Sequence, residues 1–318
     1  MRIVLVDQSR TILQIVTGLI GSDGHEVIGF NDGRTAPEFI ASNADVRALI
    51  TSGQLEGMSG LELCEAARNL AGSRRALYII LMSSSDDRGI VVQALDRGAD
   101  DFLHKPPVTE ELRARLRAAE RVTSMQHELI QIATSDFLTG LLNRREFFYR
   151  GAKAVEDAAR CAKLSAVMFD VDHFKSVNDK YGHEVGDRAL KTVASVVKQF
   201  GGISGRLGGE EFCLLVRDGQ ACAIEIAEAL RTAIAAARFS AGFKELGVTC
   251  SLGVAEWQPD HTIDALLQRA DMALYLAKKE GRNRVRAAAQ QRSHCDMAER
   301  PSVVRGAERR GGAMLETG

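Results

Sequence analysis

A surplus of either charge is missing from this 318-residue chain: 41 Lys and Arg face 42 Asp and Glu, for a net charge of −1. A near-neutral chain exerts no global pull on nucleic acid or an anionic membrane, so any phosphate recognition must be local. No apolar run approaches the roughly 18 residues of a membrane span, which argues against membrane insertion. The amino-terminal Met1-Arg2-Ile3-Val4-Leu5-Val6-Asp7 reads as a buried strand. The six cysteines, at 64, 161, 213, 222, 250 and 295, form no Cys-x-x-Cys pair and sit mostly in apolar segments. That pattern fits reduced core thiols in a cytoplasmic protein. No Gly-x-Gly-x-x-Gly follows the first strand, which argues against a dinucleotide fold, and no Walker loop occurs in the second half.

What is present predicts about two domains. Over 1–118, runs rich in Val, Ile and Leu alternate with amphipathic stretches; Ile3–Val6, Ala48–Ile50, Leu77–Met82 and Asp101–Leu103 read as strands of a parallel α/β sheet. Side chains at the carboxyl ends of such strands converge on one crevice, here Asp7, Ser52, Ser83 and Lys105. With Leu5-Val6-Asp7, the loop Gly57-Met58-Ser59-Gly60-Leu61-Glu62, Met82-Ser83-Ser84 and Gly98-Ala99-Asp100-Asp101-Phe102-Leu103-His104-Lys105-Pro106, the segment resembles a response-regulator receiver. The resemblance implies a flavodoxin-like domain with two acids after the first strand for Mg²⁺ and an aspartate after the third for phosphate. Here the second acid is Gln8, Ser52 stands at the acceptor position, and no aspartate occurs between Asp45 and Asp86. A serine hydroxyl is a poor nucleophile without a base and brings no charge to a metal. The expectation is a degenerate receiver that is not phosphorylated, with Ser52 or Glu56 as the alternative acceptor.

From Thr109 to about Ala133, apolar residues recur by threes and fours at Leu112, Leu116, Ala119, Val122, Met125, Leu129 and Ile132, which predicts one continuous amphipathic helix. Its first half is expected to pack on the receiver, and its second half, within a linker over 119–135, to form a two-stranded coiled coil.

Chemistry concentrates in 136–287. Asp136-Phe137-Leu138-Thr139-Gly140-Leu141-Leu142-Asn143-Arg144 reads as a turn entering a helix. The apolar strand Ser165–Phe169 ends in Asp170-Val171-Asp172 and delivers carboxylates to its carboxyl end. The segment His173–Asp187, dense in hydrogen-bonding groups, reads as a loop before a helix from Arg188. Arg206-Leu207-Gly208-Gly209-Glu210-Glu211-Phe212 reads as a hairpin: glycines admit positive φ and close backbone approach, and the acids offer a place for a cation.

With Ala277-Lys278-x-x-Gly281-Arg282-Asn283, these blocks resemble, in order, a GGDEF-domain diguanylate cyclase. The resemblance implies a palm-like α/β domain with a mainly antiparallel sheet, condensing two GTP into cyclic di-GMP with release of pyrophosphate, as a homodimer. It implies that Asp170, Glu210 and the Val171 carbonyl hold Mg²⁺ or Mn²⁺, with Glu211 assisting. Glu210 is the proton acceptor and Lys175 stabilises the transition-state phosphate. Asn178 and Asp187 read guanine, His183 contacts substrate, the Gly208 and Gly209 amides approach the phosphates, and Lys278 and Arg282 bind the terminal ones. Relatives often carry an Arg-x-x-Asp product-inhibition site; here its positions are Gln199 and Gly202, so no feedback through that site is expected. The tail, 288–318, is expected to be disordered. The competing reading is a catalytically silent GTP-binding or scaffold protein acting through a partner of the receiver-like half.

Overall fold

The computed structural model describes residues 1–289 apart from 73, 85–87, 161–162, 243 and 260. Cys161, Cys295 and the expected tail lie outside the described residues, save Ala288 and Ala289. The Ala288 carbonyl accepts from the Gln220 side chain at 2.7 Å, and that of Ala289 from Arg269 at 3.0 Å. The chain divides into two compact units, Met1–Glu146 and Phe147–Gly318.

In the first unit the elements run β1 (Arg2–Val6), α1 (Arg10–Gly21), β2 (Glu26–Phe30), α2 (Ala36–Ser42), β3 (Val46–Ser52), α3 (Gly60–Ala71), β4 (Tyr78–Ser83), α4 (Arg88–Asp96), β5 (Asp101–His104) and α5 (Thr109–Thr134). The five strands are parallel in the order β2-β1-β3-β4-β5. Apolar clusters cover both faces; in one, Leu112, Leu116 and Ala119 of α5 join Ile3, Leu5, Ile50 and Met82. Strands buried on both faces are near-continuous apolar runs, which is why β1, β3 and β4 are legible in the sequence; β5, a partly buried edge strand, is legible as the short run Asp101–Leu103. The fifth, β2, is not, because it is half-exposed and Gly29 interrupts its apolar pattern. The helix α5 forms as one piece, as the spacing predicts; beyond Ala119 its stripe is exposed, with Met125, Leu129 and Ile132 at 65%, 64% and 70%. The Asp136–Asn143 turn is held by Asp136 Oδ1, which accepts from the Thr139 amide at 2.9 Å, and by the Asn143 amide donating to the Thr134 carbonyl at 2.9 Å.

The second unit continues with α6 (Arg144–Ala158), which starts just before the division, β6 (Ser165–Val171), α7 (Phe174–Tyr181), α8 (His183–Val197), β7 (Ile203–Gly208), β8 (Glu211–Val216), α9 (Gln220–Ala236), β9 (Phe239–Ala241), β10 (Lys244–Leu246), β11 (Cys250–Glu256), α10 (Ile263–Lys279) and β12 (Val285–Ala287). The main sheet is mixed, ordered β12-β11-β6-β8-β7, antiparallel except for the β11–β12 pair. Phe169 and Phe212 face each other across β6 and β8, stacked with centroids 5.4 Å apart. Gly253 lets α10 lie directly on β11: a Cβ there would stand 2.1 Å from the Ala270 carbonyl oxygen.

The segment His173–Asp187 is not the loop that its polarity suggests, because it contains α7 and the start of α8. Phe174, Val177, Tyr181 and Val185 recur by threes and fours and turn inward, a sparse stripe masked by polar neighbours. Gly182, at φ 83°, ends α7 and opens α8. Only a residue without a Cβ adopts that backbone at little cost.

Candidate functional site

The strand β6 carries Asp170 and Val171 to an open sheet end between β8 and β11. Asp170 pairs in register with Glu211 on one side and Ser251 on the other. The Val171 amide donates to the Glu210 carbonyl at 3.3 Å, tying the strand end to the hairpin. Asp170 is 5% exposed and holds the Lys278 ammonium at 3.0 Å from its Oδ2. Even so, burial pushes its carboxyl above the ordinary value, outweighing the lysine. Burial also raises Glu210, with the Asp170 charge next in weight. Two crowded carboxylates of raised pKa favour a cation between them.

At the hairpin tip Gly209 has φ 43°, and its carbonyl accepts from Arg206 Nε at 2.9 Å. A Cβ added at Gly208 or Gly209 would meet nothing within 4 Å. Only the backbone of Gly209 demands glycine, and the side-chain directions of both residues face open space. Among the described residues, no three acidic, histidine or cysteine side chains are grouped to hold a metal. The oxygens of Asp170 and Glu210 and the Val171 carbonyl are hard donors of the kind that Mg²⁺ or Mn²⁺ takes. Glu211 lies opposite Asp170 and raises its carboxyl further.

The remaining candidate residues come from α7, α8, α10 and the turn beyond it. On α7, Lys175 is exposed and Asn178 half-buried, and on α8 His183 and Asp187 are exposed. Asn178 abuts Gly186, the neighbour of Asp187, so the two base-reading candidates are brought together. Lys278 lies in the last turn of α10; Arg282 lies beyond it, exposed, at φ 62°.

Sequence reasoning counts Asp172 among the carboxylates at the end of β6 but gives it no role. It is 5% exposed and accepts from Thr249 Oγ1 at 2.7 Å, Ser251 Oγ at 2.7 Å and the Asn283 amide at 3.0 Å. Arg282 and Asn283 are both left-handed, an uncommon backbone for such residues, and Asp172 anchors that turn. The only signal is the alternation of Thr249 and Ser251 on one face of the coming strand, which names no partner.

In the first unit, Asp7 (1% exposed), Ser52 (2%) and Ser83 (8%) line a crevice of about 200 Å³ with Gln8 and Lys105. Lys105 donates to Asp7 Oδ2 and, at 2.7 Å, to Ser52 Oγ. Ser52 Oγ in turn donates to the Gln54 carbonyl at 2.9 Å.

The family model described as diguanylate cyclase, GGDEF domain, matches residues 133–284, and that of the response regulator receiver domain matches residues 3–117. A solved structure of the coiled coil and GGDEF domain of DgcB from Caulobacter crescentus, in complex with c-di-GMP, is 31% identical. It aligns with 56% of this chain and 99% of its own, at a TM-score of 0.51. This chain belongs to the GGDEF diguanylate cyclase family. The response regulator PleD of Caulobacter vibrioides is 33% identical over 301 residues, 89% of this chain and 65% of PleD. Diguanylate cyclase DgcM of Escherichia coli K12 is 38% identical over 169 residues, 52% of this chain and 40% of DgcM. The chain thus spans less than two thirds of the length of either relative. In GGDEF terms, the signature motif of this member is the β7–β8 hairpin, and its glycines and acids border the β6 carboxylates.

Proposed function

We propose that this protein is a diguanylate cyclase that condenses two GTP into cyclic di-GMP as a homodimer, each subunit presenting one GTP, and that its receiver unit works without phosphorylation. One observation carries the catalytic reading. The crowded acids Asp170 and Glu210 stand beside Lys278 at an open glycine hairpin, a site suited to a metal-bound triphosphate. In each half-reaction a 3′-oxygen forms a bond to the α-phosphorus of the other GTP while the bond to the β-phosphate bridging oxygen breaks, and pyrophosphate leaves. The 3′-hydroxyl proton passes to Glu210. Lys175 offsets charge on the attacked phosphate, and Lys278 and Arg282 take the terminal phosphates, which requires Lys278 to leave Asp170. Asn178 and Asp187 bind the guanine edge, with His183 beside them. Asp170, Glu210 and the Val171 carbonyl would hold Mg²⁺ or Mn²⁺, which would supply charge neutralisation and polarise the attacking hydroxyl.

The receiver reading rests on the crevice. Lys105 is already shared between Asp7 and Ser52, and the latter hydroxyl is buried and engaged. Residues 199 and 202 support the expectation of no feedback at that site. Gln199 has no guanidinium fork, and at Gly202, φ 74°, a Cβ would stand 2.5 Å from the Leu215 carbonyl oxygen, so an aspartate has no room.

Asp170→Asn tests the metal assignment. Turnover of GTP with Mg²⁺ should fall by at least about a hundredfold with the near-UV circular dichroism unchanged. Wild-type rates of cyclic di-GMP formation by that variant would remove the assignment.

A further inference from the structure

Asn178 is placed in an unusual way. Its Oδ1 is buried yet has no hydrogen-bond partner. An unsatisfied buried acceptor costs free energy, so something must hold it there or benefit from it. The structure shows what makes room for it. A Cβ built on Gly186 would stand 1.9 Å from Asn178 Oδ1, 3.0 Å from Asn178 Cγ and 3.2 Å from Phe174 Cζ. The oxygen thus occupies the volume that any side chain at 186 would claim.

The backbone does not require Gly186 to be glycine, and of the side chains that a Cβ there would meet, Asn178 is crowded far more than Phe174. Gly186 sits inside α8, one residue before Asp187, and is not among the glycines of positive φ. In a helix interior, glycine is about 1 kcal/mol worse than alanine. A residue that weakens its own helix, and whose missing Cβ is filled by a side chain of the neighbouring helix, is explained by that side chain.

We propose that Gly186 is a specificity-determining positioning residue: its bare Cα seats the Asn178 oxygen and so fixes the carboxamide plane. With Oδ1 turned inward, the Nδ2 group is the end that meets the ligand. It offers donors to a purine acceptor beside the acceptor carboxylate of Asp187. A fixed donor next to an acceptor is a pattern that discriminates guanine, which presents both functions, from bases that present them in another order. A methyl group at 186 would rotate the amide out of this plane without touching substrate itself. The displaced atom is the end of a short flexible side chain, so the fold absorbs the change cheaply while recognition does not. This inference rests on the reading of Asn178 as a base contact.

The test is a double-mutant cycle on the full-length protein, assayed with GTP and Mg²⁺ and monitored by thermal unfolding. Gly186→Ala should raise KM for GTP about tenfold, the scale of one lost hydrogen bond, with kcat within about twofold. Its Tm should equal or exceed that of the wild type, because alanine favours the helix. Asn178→Ala should raise KM by a similar factor. The double variant should be no worse than Asn178→Ala, since the clash disappears with the amide. If Gly186→Ala keeps the wild-type KM while Asn178→Ala loses affinity, the positioning role is overturned and the base contact stands. Penalties that multiply to about a hundredfold in the double variant also overturn it, because independent sites add in free energy. A wild-type KM for Asn178→Ala would strike down the base contact and the inference with it.

Discussion

At the scale of single residues, the site is governed by what burial does to carboxylates. Asp170 and Glu210 are both raised by desolvation, and each also feels the other's neighbourhood of acids. Asp172, two positions on, has a different role: three donors converge on it, from Thr249, Ser251 and the Asn283 amide. Replacing it with alanine leaves buried donors unmet and frees the left-handed turn at Arg282 and Asn283. Asp172→Ala should lose about 3 kcal/mol of stability and raise KM for GTP, as seen by urea unfolding and steady-state kinetics. Full stability in that variant would show that the hydroxyls find other partners. The meeting of Asp170 with the hairpin acids is legible in the sequence because their neighbours spell a motif. The role of Asp172 is not, because its partners lie on β11 and beyond α10, and no local pattern couples them.

At the scale of elements, the two halves of α5 differ. Leu112, Leu116 and Ala119 are fully inside the first unit's core, whereas Met125, Leu129 and Ile132 continue the same stripe into solvent. A stripe of this kind is stable only when something covers it, and the second copy invoked by the proposed function is suited to do so. Leu129→Glu should leave monomer stability within about 0.5 kcal/mol, because the side chain is exposed. It should shift the protein from dimer to monomer in sedimentation velocity and lower specific activity. An unchanged dimer would place the contact elsewhere. Hydrophobic periodicity alone makes α5 and four receiver strands readable. It fails for β2, whose half-exposed positions and Gly29 dilute the apolar signal. It fails too for α7, where buried Phe174 and half-buried Val177 and Tyr181 are outnumbered by polar residues. Both failures have one cause: where one side of an element faces solvent or ligand, its pattern is set only partly by packing.

At the scale of the whole molecule, a parallel receiver fold and a mixed GGDEF sheet each bring chemistry-bearing residues to one sheet end. In the receiver, Lys105 already neutralises Asp7 and bonds to the serine at the end of β3. In the GGDEF unit, carboxylates raised by burial stand where β6 meets the glycine hairpin. The contrast leads to one prediction for the intact chain, that its output does not wait for a phosphoryl donor. The most direct measurement is chromatography of the products formed from GTP and Mg²⁺ by the full-length protein, with and without acetyl phosphate, beside Glu210→Gln. The account predicts cyclic di-GMP from the wild type at the same rate in both conditions, and none from Glu210→Gln. Bound GTP with no product under either condition would contradict the enzyme and favour the silent binding module. Product that appears only with acetyl phosphate would contradict the phosphorylation-independent receiver.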